Sequence, residues 1–222
     1  MNNDDEVRSK KLFELYTGAV TDIMDSIGST FRNQTLPSNL RPLTPNMKVS
    51  GPAYTVRGNK RFYEDGEDPR YKQMDMLDGI FPGSVILMDS GDEKSAAHWG
   101  ELMSKTAMGK GATGAIINGG IRDTEEIINH KFPVFASYHS PLTAVYRYNI
   151  IDFNNPIIIG EVKINPGDYI LGDIDGVVCI PKNIIDEVIE KAEVVKNKED
   201  IVRKELSLGK NIRDLFEKYK VM

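Results

Sequence analysis

Apolar residues recur at three- and four-residue steps through Leu12, Leu15, Ala19, Ile23 and Ile27, and Gly28 follows the last of them. This period predicts one α-helix with a buried stripe, running from about 4 to 27 and stopped by the glycine. Pro37, Pro42 and Pro45 then favour extended backbone ahead of a strand over 53–56. A helix is expected over 71–80, followed by Pro82-Gly83, a strand over 85–88 and a turn at Asp89-Ser-Gly-Asp92. Glu101 starts an amphipathic stretch in which Leu102, Ala107 and Met108 can face a core, and Gly111 and Gly114 end it. The run Ala115-Ile116-Ile117 reads as a short buried strand bounded by Asn118-Gly119-Gly120. Another short strand covers 133–136, a polar-edged hairpin arm covers 155–164, and Asn165-Pro-Gly-Asp168 is a turn. Asp175-Gly176 is a two-residue hairpin signal between apolar runs, which makes Asp173 and Asp175 turn residues. From Asn183 the chain is helical to its end, a helical tail over 183–222. Ile184, Val188, Ala192 and Val195 form one face, while Ile201, Val202 and Leu206 form a second edge suited to a subunit contact.

Helices and strands mix without strict βαβ alternation and without a Gly-x-Gly-x-x-Gly turn, which disfavours a dinucleotide fold. At 222 residues and 40% hydrophobic content, with no linker, the chain is expected to form a single domain over 1–222. Its net charge of −5 opposes a general nucleic-acid role, for which a basic face is needed. The one cysteine, Cys179, lies in an apolar strand pattern and reads as a buried structural thiol. The acidic, polar first residues do not resemble a signal peptide, and no apolar run nears the ~20 residues that span a bilayer. A cytoplasmic protein without membrane association is expected. His98, His130 and His139 have no spacing that makes a zinc pair. His98 adjoins the acidic helix entry and could help bind a substrate, though a hydrogen-bonded structural role is the commoner case, and His130 ends an acidic helix where a cation favours the dipole.

The candidate chemistry lies in Gly100-Glu101-Leu102-Met103 and in Arg122-Asp123, with twenty residues between Glu101 and Arg122. The unpaired N–H groups of a helix start at Gly100 to Met103 make an anion site. Arg122 and Asp123 fall at the C-terminal end of a strand, where open α/β layers keep their ligands. Asp123 suits a hard cation such as Mg²⁺, which retains waters and needs only one or two protein oxygens. Glu101 is a second ligand or the holder of such a water, and the planar fork of Arg122 matches a carboxylate or an enolate oxygen. Spacing alone leaves an alternative equally open: Asp123 as a helix N-cap, Glu101 as a solvated helix residue and Arg122 as a surface ion-pair partner.

Gly-Glu-Leu-Met at 100–103, Gly-Gly-Ile-Arg-Asp at 119–123 and Phe-Pro-Val-Phe-Ala at 132–136 together resemble the RraA-like family. That family includes 4-hydroxy-4-methyl-2-oxoglutarate aldolases and regulators of ribonuclease E. The stretch from Ala19 to Gly28 is similar to the family's first helix, Gly51 to Val56 to its first strand, and Pro166 to Pro181 to its closing hairpin. The resemblance covers roughly residues 12 to 208. It implies an α/β fold, a swivelling β/β/α domain with a central β-sheet core flanked by helices, assembled as a homotrimer or homohexamer. It further implies that Asp123 coordinates Mg²⁺ or Mn²⁺ directly, Glu101 binds a metal-held water, and Arg122 bonds the keto oxygen of a pyruvyl group. The substrate carboxylate would sit at Gly100, on the backbone amides of Leu102 and Met103. An acidic residue from a neighbouring subunit's terminal helix corresponds to Glu199, with Glu205 nearly as eligible. The implied activity is that of a class II pyruvate aldolase, cleaving a 4-hydroxy-2-oxo acid, decarboxylating oxaloacetate, or both, with release of pyruvate. The alternative within the family is a non-catalytic protein-binding regulator like the ribonuclease E inhibitor. The chain departs from the family at Gly58-Asn59-Lys60 and the charged stretch from Arg61 to Arg70. That stretch could line the pocket mouth and bring Lys60, Arg61 or Arg70 to a second carboxylate, or adapt the site to a different lyase or hydratase acting on sugar-derived acids.

Overall fold

Where one opening helix is expected, the chain makes two, α1 (Asn3–Phe13) and α2 (Thr17–Ile27). A computed structural model of the chain describes residues 3–62 and 68–221. The predicted stripe is buried across both helices, at Leu12, Leu15, Ala19, Ile23 and their neighbours Val20 and Met24. The break falls at Tyr16, whose backbone is extended (φ −120°, ψ 155°). Asp173 accepts from the N–H and the hydroxyl of Thr17, each at 2.8 Å. A carboxylate distant in sequence therefore caps α2, and periodicity contains no sign of it.

After β1 (Arg41–Pro42) come β2 (Val49–Lys60), α3 (Pro69–Asp78), β3 (Val85–Asp89), β4 (Ala97–Trp99), α4 (Glu101–Gly109), β5 (Gly114–Ile121), α5 (Thr124–Asn129) and β6 (Val134–His139). Strands β2, β3, β5 and β6 lie side by side and parallel. The βαβ alternation not read from the sequence pattern is therefore present, with α3, α4 and α5 as crossovers. Two features mask it. The short β4 intervenes before α4, and β5 continues through Asn118-Gly119-Gly120, where a turn is expected. Those glycines serve close packing, since a Cβ on Gly119 would meet His98 Nδ1 at 2.5 Å and one on Gly120 the Ala96 carbonyl at 2.4 Å.

The second half adds β7 (Tyr148–Phe153), antiparallel to β2, and the small hairpin β8 (Ile157–Ile159) with β9 (Val162–Ile164). Strands β10 (Tyr169–Asp173) and β11 (Gly176–Ile180) form the closing hairpin. Its register pairs Asp173 with Gly176, so the turn is Ile174-Asp175, one residue earlier than the Asp-Gly signal implies. The terminal helical segment is likewise two helices, α6 (Ile185–Ser207) and α7 (Ile212–Tyr219). Gly209 between them takes φ +79°, and the Asn211 side chain caps α7 by accepting from the Arg213 N–H at 2.8 Å. The turn lets α7 fold back on α6, so Val202 of the expected subunit edge is buried with Leu215 and Val221.

The sheet order is β1-β6-β5-β3-β2-β10-β11, with β4 on β5 and β7 on β2. Arg41 of β1 donates to the carbonyls of Ile174 and Asp175 at 3.2 and 2.5 Å, joining the two ends of a nearly closed sheet. Inside lie Val49, Leu87, Ile116, Phe135, Ile170 and Cys179. Burial pushes the Cys179 thiol well above its ordinary range, as suits a structural residue. On the outer face α3, α4 and α5 cover Val56, Ile86, Met88 and Ile117, while α1, α2 and α6 cover β10 and β11. The result is the expected α/β architecture, with seven α-helices among the described residues flanking a central sheet. None of these helices is long and apolar enough to cross a membrane.

Candidate active site

Strand β5 ends at Ile121, and the Arg122 N–H donates to the Trp99 carbonyl at 3.1 Å, tying its end to the end of β4. Asp123 follows in the left-handed region (φ 56°, ψ 35°), a conformation that aspartate tolerates better than most residues. It occupies the N-cap position of α5, but its side chain makes no capping hydrogen bond. Oδ2 instead turns toward α4, 3.4 Å from the Glu101 N–H nitrogen and 3.6 Å from Arg122 Nε. The simple capping alternative for Asp123 does not describe this geometry. Gly100 makes the approach possible, because a Cβ there would lie 2.8 Å from Asp123 Oδ2. Its backbone is ordinary extended chain (φ −153°, ψ −173°), so glycine is needed here for space.

The buried face of α4 is Met103, Ser104 and Ala107. Leu102 and Met108, expected to face a core, are 76% and 41% exposed. At 100° per residue the helix cannot bury both sets, and the Trp99 indole, donating to Ser104 Oγ at 2.8 Å, belongs to the winning face. The first-turn N–H groups of Leu102 and Met103 are among those a helix leaves unpaired, and they carry the positive end of its dipole.

A cavity of about 610 Å³ opens beside these groups. Gly100, Leu102, Met103, Arg122 and Asp123 all line it, with Trp99 and His98 of β4 behind them. The other walls come from α3, from Thr143 to Val145 and from β7. Of the charged stretch expected at the mouth, Asp68, Pro69 and Arg70 line the cavity, and residues 63–67 lie outside the described residues. Lys60 and Arg61 are not among its lining residues; Lys60 Nζ stands 6.0 Å from the Phe62 ring centroid and Arg61 donates to the Val145 carbonyl at 3.0 Å.

A strand-end aspartate and arginine beside a glycine-started helix, all facing one cavity, are the parts that relatives can be compared on. The model of the RraA-like family, described as Aldolase/RraA, matches residues 20–179. The chain belongs to the RraA-like family. An uncharacterized protein of Methanocaldococcus jannaschii is 40% identical over 179 residues, 80% of this chain and 83% of its own length. A Halalkalibacterium halodurans protein named "Putative 4-hydroxy-4-methyl-2-oxoglutarate aldolase" is 30% identical over 199 residues, 88% of this chain and 86% of its own length. Protein DlpA of Legionella pneumophila is 29% identical over 181 residues, 82% of this chain, and the chain spans only 29% of DlpA's length. Among solved structures, Streptomyces coelicolor RraAS2, an unusual member of the RNase ES inhibitor RraA protein family, aligns with a TM-score of 0.79. That alignment covers 91% of this chain and 97% of the other at 19% identity, and it shows the shared RraA-like fold.

Not every residue implied by the RraA-like resemblance joins the cavity. The Glu101 side chain does not line it; Oε1 lies 3.1 Å from His130 Nε2 and 3.2 Å from Lys105 Nζ. Hydrogen bonds from His130 and Lys105 hold that carboxyl below the usual range. His130 does end α5, and its pairing with Glu101 across 29 residues leaves no trace in sequence spacing. Glu199 is held within its own chain, by the Tyr16 hydroxyl and by Arg203 at 2.6 Å. Glu205 meets Lys210 at 3.1 Å and the Tyr219 hydroxyl at 3.2 Å.

Sequence reasoning passed over Glu93. It is buried, and the backbone N–H groups of Ser95 and Ala96 and the Ser95 hydroxyl donate to it. Burial alone would raise its pKa, but these donors outweigh burial and hold the carboxyl low. His98 packs behind the cavity with Nε2 3.0 Å from Glu93 Oε2, while Nδ1 accepts from the Gly120 N–H at 3.1 Å. Burial drives the ring's pKa down to about 4 despite Glu93, so the imidazole is neutral with its proton on Nε2. Among the described residues, no three His, Cys, Asp or Glu side chains gather as a metal cluster. The cradle at Gly100 still fits the divalent ion that the RraA-like resemblance implies. It presents one half-exposed carboxylate of Asp123 to a roomy cavity, and a hard, largely hydrated ion needs no more.

Proposed function

We propose that this chain is a divalent-metal-dependent lyase that acts on a 2-oxo acid and releases pyruvate. Its reaction is retro-aldol cleavage of a 4-hydroxy-2-oxo acid, with oxaloacetate decarboxylation as the companion activity that passes through the same enolate. The observation that carries this reading is Asp123, a strained N-cap residue that leaves its own helix uncapped and turns its carboxylate to Gly100, beside Arg122 and the cavity. Strain of this kind persists where the surroundings demand it, most often at functional sites. The aldolase name of the Halalkalibacterium halodurans relative supports the same reaction class.

In this reading the N–H groups of Leu102 and Met103 receive the substrate carboxylate at the start of α4. Arg122 points its guanidinium at the 2-keto oxygen. As the C4 hydroxyl gives its proton to water and becomes the carbonyl of the leaving fragment, the C3–C4 bond breaks, its electron pair flows toward C2 and the keto oxygen takes on enolate charge; a proton from water then returns to C3 and gives pyruvate. A guanidinium fixed beside that oxygen meets the charge without reorganisation. Asp123 would hold Mg²⁺ or Mn²⁺, which would supply Lewis acidity to the oxo acid. Trp99 and the neutral His98 close the back of the site against water. The family's trimeric or hexameric assembly and a cytoplasmic setting belong to the same proposal.

The test is pyruvate release from oxaloacetate and from 4-hydroxy-2-oxo acids, after EDTA and after restoring Mg²⁺ or Mn²⁺. Asp123→Ala should abolish the metal-restored rate, and Arg122→Ala should lower it by on the order of 10²–10³. A wild-type rate in either variant contradicts the assignment.

A further inference from the structure

Beyond Arg122 and Asp123 the cavity runs into a wall with no spare positive charge. Tyr71, Met74 and Leu77 of α3 form one side, and Leu102, Val145 and Ile150 stand on the others. Among the described lining residues the cations are Arg122 and Arg70. Arg70 is engaged at the rim, with Nε 2.9 Å from each oxygen of Asp68 and Nη2 closing on the same carboxylate. That fork offsets part of its charge and occupies the Nε–Nη2 edge, one of the two edges on which a guanidinium takes a carboxylate in bidentate fashion. Gln73 of α3 turns its amide to Met103 Sδ at 2.8 Å, and the other polar side chains of the lining beyond the head of the site, such as Thr106 and Thr143, are uncharged hydroxyls.

The consequence follows from desolvation. A second carboxylate entering this region would lose hydration without gaining a counter-charge from the described wall. Methylene and methyl groups, in contrast, gain from every contact with Met74, Leu77 and Ile150. The cavity is also far larger than a pyruvyl group, within the range that encloses whole small ligands.

We infer that the tail of the substrate, beyond the C4 carbinol, is uncharged and apolar, and that Met74 and Leu77 select such a 2-oxo acid over one that ends in a second carboxylate. This rests on Asp123 and Arg122 holding the oxo-acid head, as proposed above. It departs from the diacid substrate named for the Halalkalibacterium halodurans relative.

Binding separates the two ideas, because it needs no turnover. The wild-type protein is titrated calorimetrically, in Mg²⁺, with 2-oxopentanoate and with 2-oxoglutarate, which differ only in a terminal methyl against a carboxylate. The methyl compound should bind at least about tenfold more tightly. Met74→Lys, at a half-exposed position on α3, should bring 2-oxoglutarate to within about threefold by placing a cation on the wall. Equal or tighter binding of 2-oxoglutarate to the wild type overturns the inference, as does failure of both compounds to bind. Pyruvate release from 4-hydroxy-2-oxohexanoate and oxaloacetate is measured on the same sample. If the methyl compound is preferred but no pyruvate appears from either, the lyase reading falls and the apolar tail stands. If pyruvate appears without the preference, the reverse holds.

Discussion

Gly100 and Asp123 show how much of this site depends on a single missing atom. Because the backbone of Gly100 is extended, alanine meets no conformational obstacle there, and its Cβ would press on Asp123 Oδ2 at 2.8 Å. Gly100→Ala should therefore leave the melting temperature nearly unchanged while lowering pyruvate release by about 10²-fold, the usual cost of misplacing a reacting group by an ångström. Parallel thermal and kinetic measurements check this; a normal rate would mean that the carboxylate has room to spare. His98 makes a different prediction. In the unfolded chain its ring protonates below about pH 6.5, and in the folded protein only near about 4, because it is buried. Between these values unfolding takes up a proton, so stability is full above pH 6.5 and declines as pH falls toward 4. The slope is at most about 1.4 kcal/mol per pH unit. Urea midpoints at pH 7 and pH 5 should differ less in His98→Gln, which does not titrate; an unchanged difference would assign the effect to other groups. Motif spacing singled out Asp123 and Arg122, but Glu93 and the partnership of His130 with Glu101 were invisible, because each is defined by what it touches.

At the scale of elements, the hydrophobic period located most helices and strands and erred chiefly where tertiary contacts end or extend them. The α1–α2 break is the clearest case, since Leu12, Leu15 and Ala19 keep a continuous helical period across it. Asp173→Ala, which removes both acceptors of Thr17, should cost about 1–2 kcal/mol. The urea midpoint should fall, with faster amide exchange in the first turn of α2; protection there at the wild-type level would show that the cap is dispensable. Strand β5 erred in the opposite direction. Asn118-Gly119-Gly120 looks like a turn by local rules, yet it stays in the sheet because β4 and β6 pair on either side and His98 and Tyr138 fill the space the glycines leave. Strand β7 has no strong pattern of its own and is defined by its pairing with β2.

For the whole molecule, curling of the sheet makes one interior shared by both halves of the chain. Leu87 lies there fully buried, among residues from β2, β5, β6, β10 and β11. Leu87→Ala should cost about 2–5 kcal/mol and shift the single unfolding transition as a whole. Denaturation followed by Trp99 fluorescence and by far-ultraviolet dichroism measures both; separate transitions would show that the two halves unfold independently. The cavity lies on the opposite face, between the sheet and α3 and α4, so Arg122 and Asp123, the groups proposed to hold the oxo acid, rest on strand ends fixed by that interior.

By itself the sequence determined the class of most segments and the family, and it singled out Asp123 and Arg122 as candidates for the head of the site. Those properties depend on neighbours within a few residues or on motifs carried intact. Only the tertiary structure decided what Asp123 does. By local rules Asp-Thr-Glu-Glu is a helix cap, and it becomes a cavity carboxylate because the pairing of β4 with β5 brings bare Gly100 against it. The tertiary structure likewise withdrew Glu101 from the cavity and closed Arg70 on Asp68. A side chain's charge is written in the chain, but the partner that neutralises it is chosen by folding.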